Sequence, residues 1–146
     1  MTLFRDKERV VVVAPEPATR AAVRALAEAH PDDLIVVIVP VLVGRLQFWT
    51  GDDRDAWQLA THRLAAWLDL LEHEGVEAEG QVGFAEPVQV VEDLLACFGG
   101  QEVVLIAGAN DHWQLRGLTE RARRRLPIPV AELLLSPARD GLARAA

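Results

Sequence analysis

The chain has 146 residues, 51% hydrophobic and 25% charged, a balance that suits one soluble globular domain and excludes a disordered chain. Its formal net charge of −7 and pI near 5.0 set up a field that repels polyanions, so neither nucleic acid nor a membrane surface is an expected partner. Cys97 is the only cysteine, which leaves no internal disulfide or thiolate cluster, and the N-terminal residues lack a secretory pattern; together these point to the cytoplasm.

Residues 10–14 (VVVVA) are a β-branched run stopped by Pro15 and Pro17, which suits a first strand buried on both faces of a parallel sheet. Residues 19–30 place Val23, Leu26, Ala27 and His30 at helical spacing, and Pro31 ends that helix by restricting the residue before it. Residues 34–43 (LIVVIVPVLV) read as the second strand, with Pro40 implying a bulge, an edge or an early end to pairing because it lacks an N–H. This longest apolar stretch is about half of what a bilayer span needs. From Asp55 the positions of Trp57, Ala60, Leu64, Trp67, Leu68 and Leu71 give a long helix one inward face, ending near Gly75, and Trp57 is expected in the core. His62, Asp69 and His73 fall along nearly one line of that helix but too far apart to share an ion, so they read as a solvated polar face.

Residues 76–84 alternate in polarity and carry Gly80 and Gly83, which fits a strand near an edge of the sheet. Pro87 suits a first helical turn, Val88, Val91, Leu95 and Phe98 mark the buried stripe, and Gly99 and Gly100 stop it. Residues 102–107 (EVVLIA) form another buried strand, 115–126 a helix broken by Pro127 and Pro129, and 130–135 (VAELLL) a last strand; the tail over 137–146 is expected to be mobile. The order β-α-β-α-β-α-β-α-β predicts a single doubly wound three-layer α/β domain with a mostly parallel five-stranded sheet. Ligands of such folds bind outside the carboxyl ends of the strands.

The succession of Gly83 with Pro87, the apolar helix at 88–98, the strand at 103–108 ending in Gly108, the helix at 118–126 and "PIPV" at 127–130 resembles the universal stress protein family. The resemblance implies a fold related to the adenine nucleotide alpha hydrolases, a role in stress response, and a homodimer joined along the last strand through Val130, Leu133 and Leu135. ATP-binding members are similar to one another in a Gly-x-x-Gly loop followed, nine residues on, by Gly with Ser or Thr, whose backbone N–H groups wrap the phosphates. Here Gly108 stands for the first glycine, Asp111 falls where the second should be, and the next glycine, Gly117, comes too early. After the first strand, where nucleotide-binding members carry an acidic turn, this chain has Ala14, Pro15, Glu16 and Pro17, and the prolines remove donors. The resemblance therefore implies a divergent member without the ATP-binding loop: no cofactor is expected, and ATP or AMP belongs to the alternative reading.

That alternative is a small-ligand or nucleotide binder using Glu16, Phe48, Trp49, Gly108, Asn110, Asp111, His112 and Trp113 at the strand ends. Trp113 would stack and His112 would donate or titrate; equally, Asn110 or Asp111 caps a helix and Trp113 covers the sheet edge. Phe48 and Trp49 either form an aromatic lid or a partner-binding patch, or close the top of the core. Arg121, Arg123, Arg124 and Arg125 near a helix C-terminus complement its dipole and pair with surface acids in preference to phosphate. Ser136 is the only serine, Lys7 the only lysine, and tyrosine is lacking, so no hydrolase elbow or P-loop can be assembled and no catalytic constellation is found. The expectation is a non-catalytic regulatory or interaction module, its protein partner unidentified.

Overall fold

A computed structural model describes residues 8–44, 50–51, 53–108, 112–135 and 142–145. Strands β1 (Arg9–Val13), β2 (Leu34–Pro40), β3 (Ala78–Gly83), β4 (Glu102–Ala107) and β5 (Val130–Leu135) alternate with helices α1 (Arg20–Ala29), α2 (Arg54–His73), α3 (Pro87–Phe98) and α4 (Leu118–Arg125). The five strands pair in parallel in the order β3-β2-β1-β4-β5, and β6 (Leu142–Ala145) adds antiparallel to β5. This is the predicted α/β sheet with one further strand.

Alternation along each strand divides the core into two layers. Val10, Val12, Val37, Val104 and Ile106 face α1 and α2, while Val11, Val13, Ile38, Val103 and Leu105 face α3 and α4. Val10, Val11, Val12 and Val37 are wholly inaccessible, and each such side chain stabilises the fold by about 1.5–3 kcal/mol through removal from water. The helices begin where their local chemistry dictates. The Thr19 hydroxyl accepts from the Ala22 N–H at 3.1 Å to cap α1, and the Glu86 carboxylate accepts from the Gln89 N–H at 2.8 Å just before Pro87 opens α3.

β3 lies at the edge, as its polar alternation predicts, and it closes against α2 because Gly80 has no side chain. A Cβ there would lie 2.5 Å from the Val37 carbonyl oxygen and 2.6 Å from Leu64 Cδ1. β2 ends at Pro40, short of the predicted Val43, which is the early end to pairing among the three outcomes its missing N–H allows.

Two expectations need correction, and one strand lies where none was expected. Within the tail over 137–146, Leu142–Ala145 form β6. The alternation-free LARA sequence carries no strand signal, but the open backbone of β5 supplies partners for it. β6 thereby occupies the outer edge of β5, and Leu133, expected at a dimer contact, is buried in the chain's own core while Val130 and Leu135 pack partly against it. The helix predicted over 115–126 is split into a 3₁₀ turn (Trp113–Leu115) and α4, because Gly117 takes a left-handed conformation with φ 66°. Finally, Trp57 is 38% exposed and stacks on Phe84, ring centroids 5.6 Å apart and planes 12° from parallel. Helical spacing assigns it to the inward face, but it stands in the first turn of α2, and its partner Phe84 lies just past the end of β3.

Candidate functional site

The strand order reverses direction between β1 and β4, so the chain leaves these neighbours toward opposite flanks and opens a crevice at their carboxyl ends. A cavity of about 240 Å³ lies there. Leu105 and Glu132 form part of its floor, Leu118, Thr119 and Glu120 of α4 one wall, and the Pro15–Glu16 turn with Gly108 another.

The turn after β1 is held from below by α2. The Arg63 guanidinium donates to the Pro15 carbonyl at 2.8 Å, and Trp67 Nε1–H, from a side chain with no exposed surface, donates to the Glu16 carbonyl at 3.0 Å. These bonds satisfy two backbone carbonyls that lie beyond the end of β1. The fixed turn directs the Glu16 side chain across the crevice onto Gly108, where an added Cβ would lie 3.0 Å from Glu16 Cδ and 3.1 Å from Oε1. Oε1 is buried and accepts no hydrogen bond from the described residues. On the opposite side the Thr119 hydroxyl donates to Glu132 Oε2, and Glu120 sits in the first turn of α4. None of the described residues lining the cavity is basic.

The structure thus brings Glu16 and Gly108 together. His112 does not line the cavity; its Nδ1 accepts from the Gln114 N–H at 3.2 Å and caps the 3₁₀ turn that Trp113 begins. Gln114 Oε1 in turn accepts from the Val43 N–H at 2.8 Å, tying the segment after β2 to the segment after β4. Asn110, Asp111, Phe48 and Trp49 lie outside the described residues. Sequence reasoning missed Thr119, Glu132, Arg63, Trp67 as a donor, and Gln114. Glu132 alone carried a signal, as the single charged residue inside the apolar strand VAELLL.

Other clusters stay outside the site. Arg121 and Arg125 reach across to Glu86 at 3.3 and 3.7 Å, and Arg125 also pairs with Glu92, so the arginine run ties α4 to α3; the acids lie on and before α3. His62, Asp69 and His73 are exposed, and no metal-binding group of three or more ligands occurs among the described residues. The pKa of His73 is raised above 6.5, first by its hydrogen bond to the Asp69 carbonyl and then by the Asp69 charge.

No family model matches the chain, and no curated protein matches it at a significant level. Solved structures do. A universal stress protein from Archaeoglobus fulgidus superposes with a TM-score of 0.63 at 16% identity, covering 86% of this chain and 97% of that one. The same organism's protein in complex with dAMP gives 0.61 at 16% identity, covering 86% and 96%. The fold is that of the universal stress proteins. A further universal stress protein, in complex with cAMP, gives 0.52 at 18% identity over 90% of this chain and 100% of that one. At these identities the universal stress protein likeness is one of fold. The side chains that line the switch-point crevice, and not the fold, decide what it can hold.

Proposed function

We propose that this chain is a universal stress protein-like regulatory or interaction module of the cytoplasm whose strand-end crevice does not take ATP. One observation carries the reading: the Glu16 carboxylate lies against Gly108, in the space that a glycine at this turn would otherwise leave for a phosphate. Glu120 and Glu132 add two more carboxylates to the same cavity. A unit anion at about 4 Å from one carboxylate is opposed by roughly 4 kcal/mol at an effective dielectric of about 20, some three orders of magnitude in affinity. The N-terminus of α4 offers a partial charge of about +0.5, too little to offset several carboxylates. No helix among the described residues is long and apolar enough to cross a membrane. A homodimer through the last strand belongs to this reading, with β6 the strand that a second copy displaces or extends.

The second reading, a nucleotide or small-ligand binder, draws support from two fold relatives whose structures hold dAMP and cAMP. Calorimetric titration with ATP, AMP and cyclic AMP separates the two. The regulatory reading expects no heat of binding at micromolar nucleotide, and micromolar affinity for any of the three would reverse the ranking.

A further inference from the structure

We infer that the switch-point cavity is a binding site for a small organic cation, one with an amidinium or guanidinium head on a compact apolar body. The inference rests on the reading above, that this crevice is closed to phosphate. It starts from an unmet demand. Oε1 of Glu16 is withdrawn from solvent and receives no hydrogen bond from the described residues, although a buried acceptor without a donor is costly, and more so when it belongs to a charged group. Its backbone cannot relax to relieve this, because Arg63 and Trp67 hold the carbonyls of Pro15 and Glu16. The complementary group is a cationic N–H donor.

The cavity that Glu16 lines fits such a ligand once the carboxylate turns from Gly108 toward it. Its volume of about 240 Å³ admits a small molecule, and Pro15, Leu105, Leu115 and Leu118 supply apolar walls. Glu132, with one oxygen engaged by Thr119, keeps acceptor capacity on the other, and Glu120 adds negative charge. None of the described lining residues supplies a countercharge. Planar N–H pairs match a carboxylate by two parallel bonds, which favours an amidinium or guanidinium over a simple ammonium. A bare metal ion is a poorer match, since the described residues include no cluster of three or more ligands able to hold one.

Benzamidine and agmatine are suitable probes, with benzamide as the uncharged isostere of the first. Calorimetry on the full chain is expected to show saturable binding of benzamidine, none of benzamide, and a loss of roughly tenfold or more in affinity for Glu16→Gln, the scale of one charge-assisted hydrogen bond. Glu132→Gln provides a second variant should Glu16→Gln fold poorly, and amide shifts confined to Gly108, Thr119 and Glu120 place the ligand independently. Failure of both cations to bind, or equal binding by wild type and both variants, overturns this inference and leaves the regulatory reading standing. Micromolar binding of AMP overturns that reading and this inference with it.

Discussion

The carboxylate of Glu16 rests on the α-carbon of Gly108, close enough that a methyl group added to Gly108 would stand 3.0 Å from Glu16 Cδ. The two residues are far apart in sequence and meet because β1 and β4 are neighbours. Gly108→Ala should therefore cost about 1 kcal/mol through overpacking and should be close to neutral once Glu16 is Ala. A double-mutant cycle by urea unfolding is expected to give a coupling of at least about 0.5 kcal/mol, whereas strict additivity would show that the two do not touch.

Trp67 is both core and anchor. Its ring is wholly buried, and its N–H reaches the Glu16 carbonyl at 3.0 Å. Trp67→Phe retains most of the apolar volume but strands that carbonyl, at a cost of about 1–3 kcal/mol. The fall in urea midpoint measures it; an unchanged midpoint would mean that the turn is held by other contacts.

The register Glu132↔Ala145 to Leu135↔Leu142 gives β5 an antiparallel neighbour from its own chain. A chain ending at Leu135 leaves that row of backbone groups open, and such an edge recruits another. Truncation is expected to tighten self-association by roughly tenfold or more, about 1.4 kcal/mol, in sedimentation over a concentration series. Equal dissociation constants for the full and shortened chains would show that β6 does not compete for this edge.

His73 Nδ1–H donates to the Asp69 carbonyl at 2.8 Å, with the Asp69 carboxylate 3.8 Å away; the bond first and the charge second raise the imidazole pKa above 6.5. The folded state thus favours the imidazolium. Its contribution to stability is fully present below the unfolded value and is lost as pH rises through the raised folded value. The side chain is exposed, so screening keeps the contribution small and the titration itself is the observable. NMR should place the His73 midpoint above 6.5, and Asp69→Asn should lower it only part of the way, because the carbonyl bond survives. A wild-type midpoint at or below 6.5 refutes the assignment.

Much of the fold is legible because the signals are local. VVVVA, LIVVIVP and EVVLIA announce strands buried on both faces, and Thr19, Pro87 and Gly99 mark helix ends with residues whose backbone chemistry leaves few alternatives. β6 is not legible, since Leu, Ala and Arg favour helix and only the neighbouring backbone makes a strand of LARA. Trp57 is misread for a related reason: spacing gives the face of α2 but not where the sheet beneath it stops. At the site, Glu16 and Gly108 can be named from their places after strands, whereas Thr119, Glu132 and Gln114 are joined to it only by packing between distant segments.

Gly80 sits on the far flank of the sheet from the crevice, yet it governs the crevice. Because Leu64 occupies the room that a β-carbon would take, α2 is seated at a fixed height above β3, and from beside Leu64 and one turn beyond it the same helix extends Arg63 and Trp67 to the turn that aims Glu16. Any larger residue at Gly80 would lift this beam and slacken the grip on Pro15 and Glu16, although Gly80 itself does not line the pocket. The aim of Glu16 is therefore set partly by a missing β-carbon on the opposite flank of the sheet, and evolution or an engineer could shift it from there.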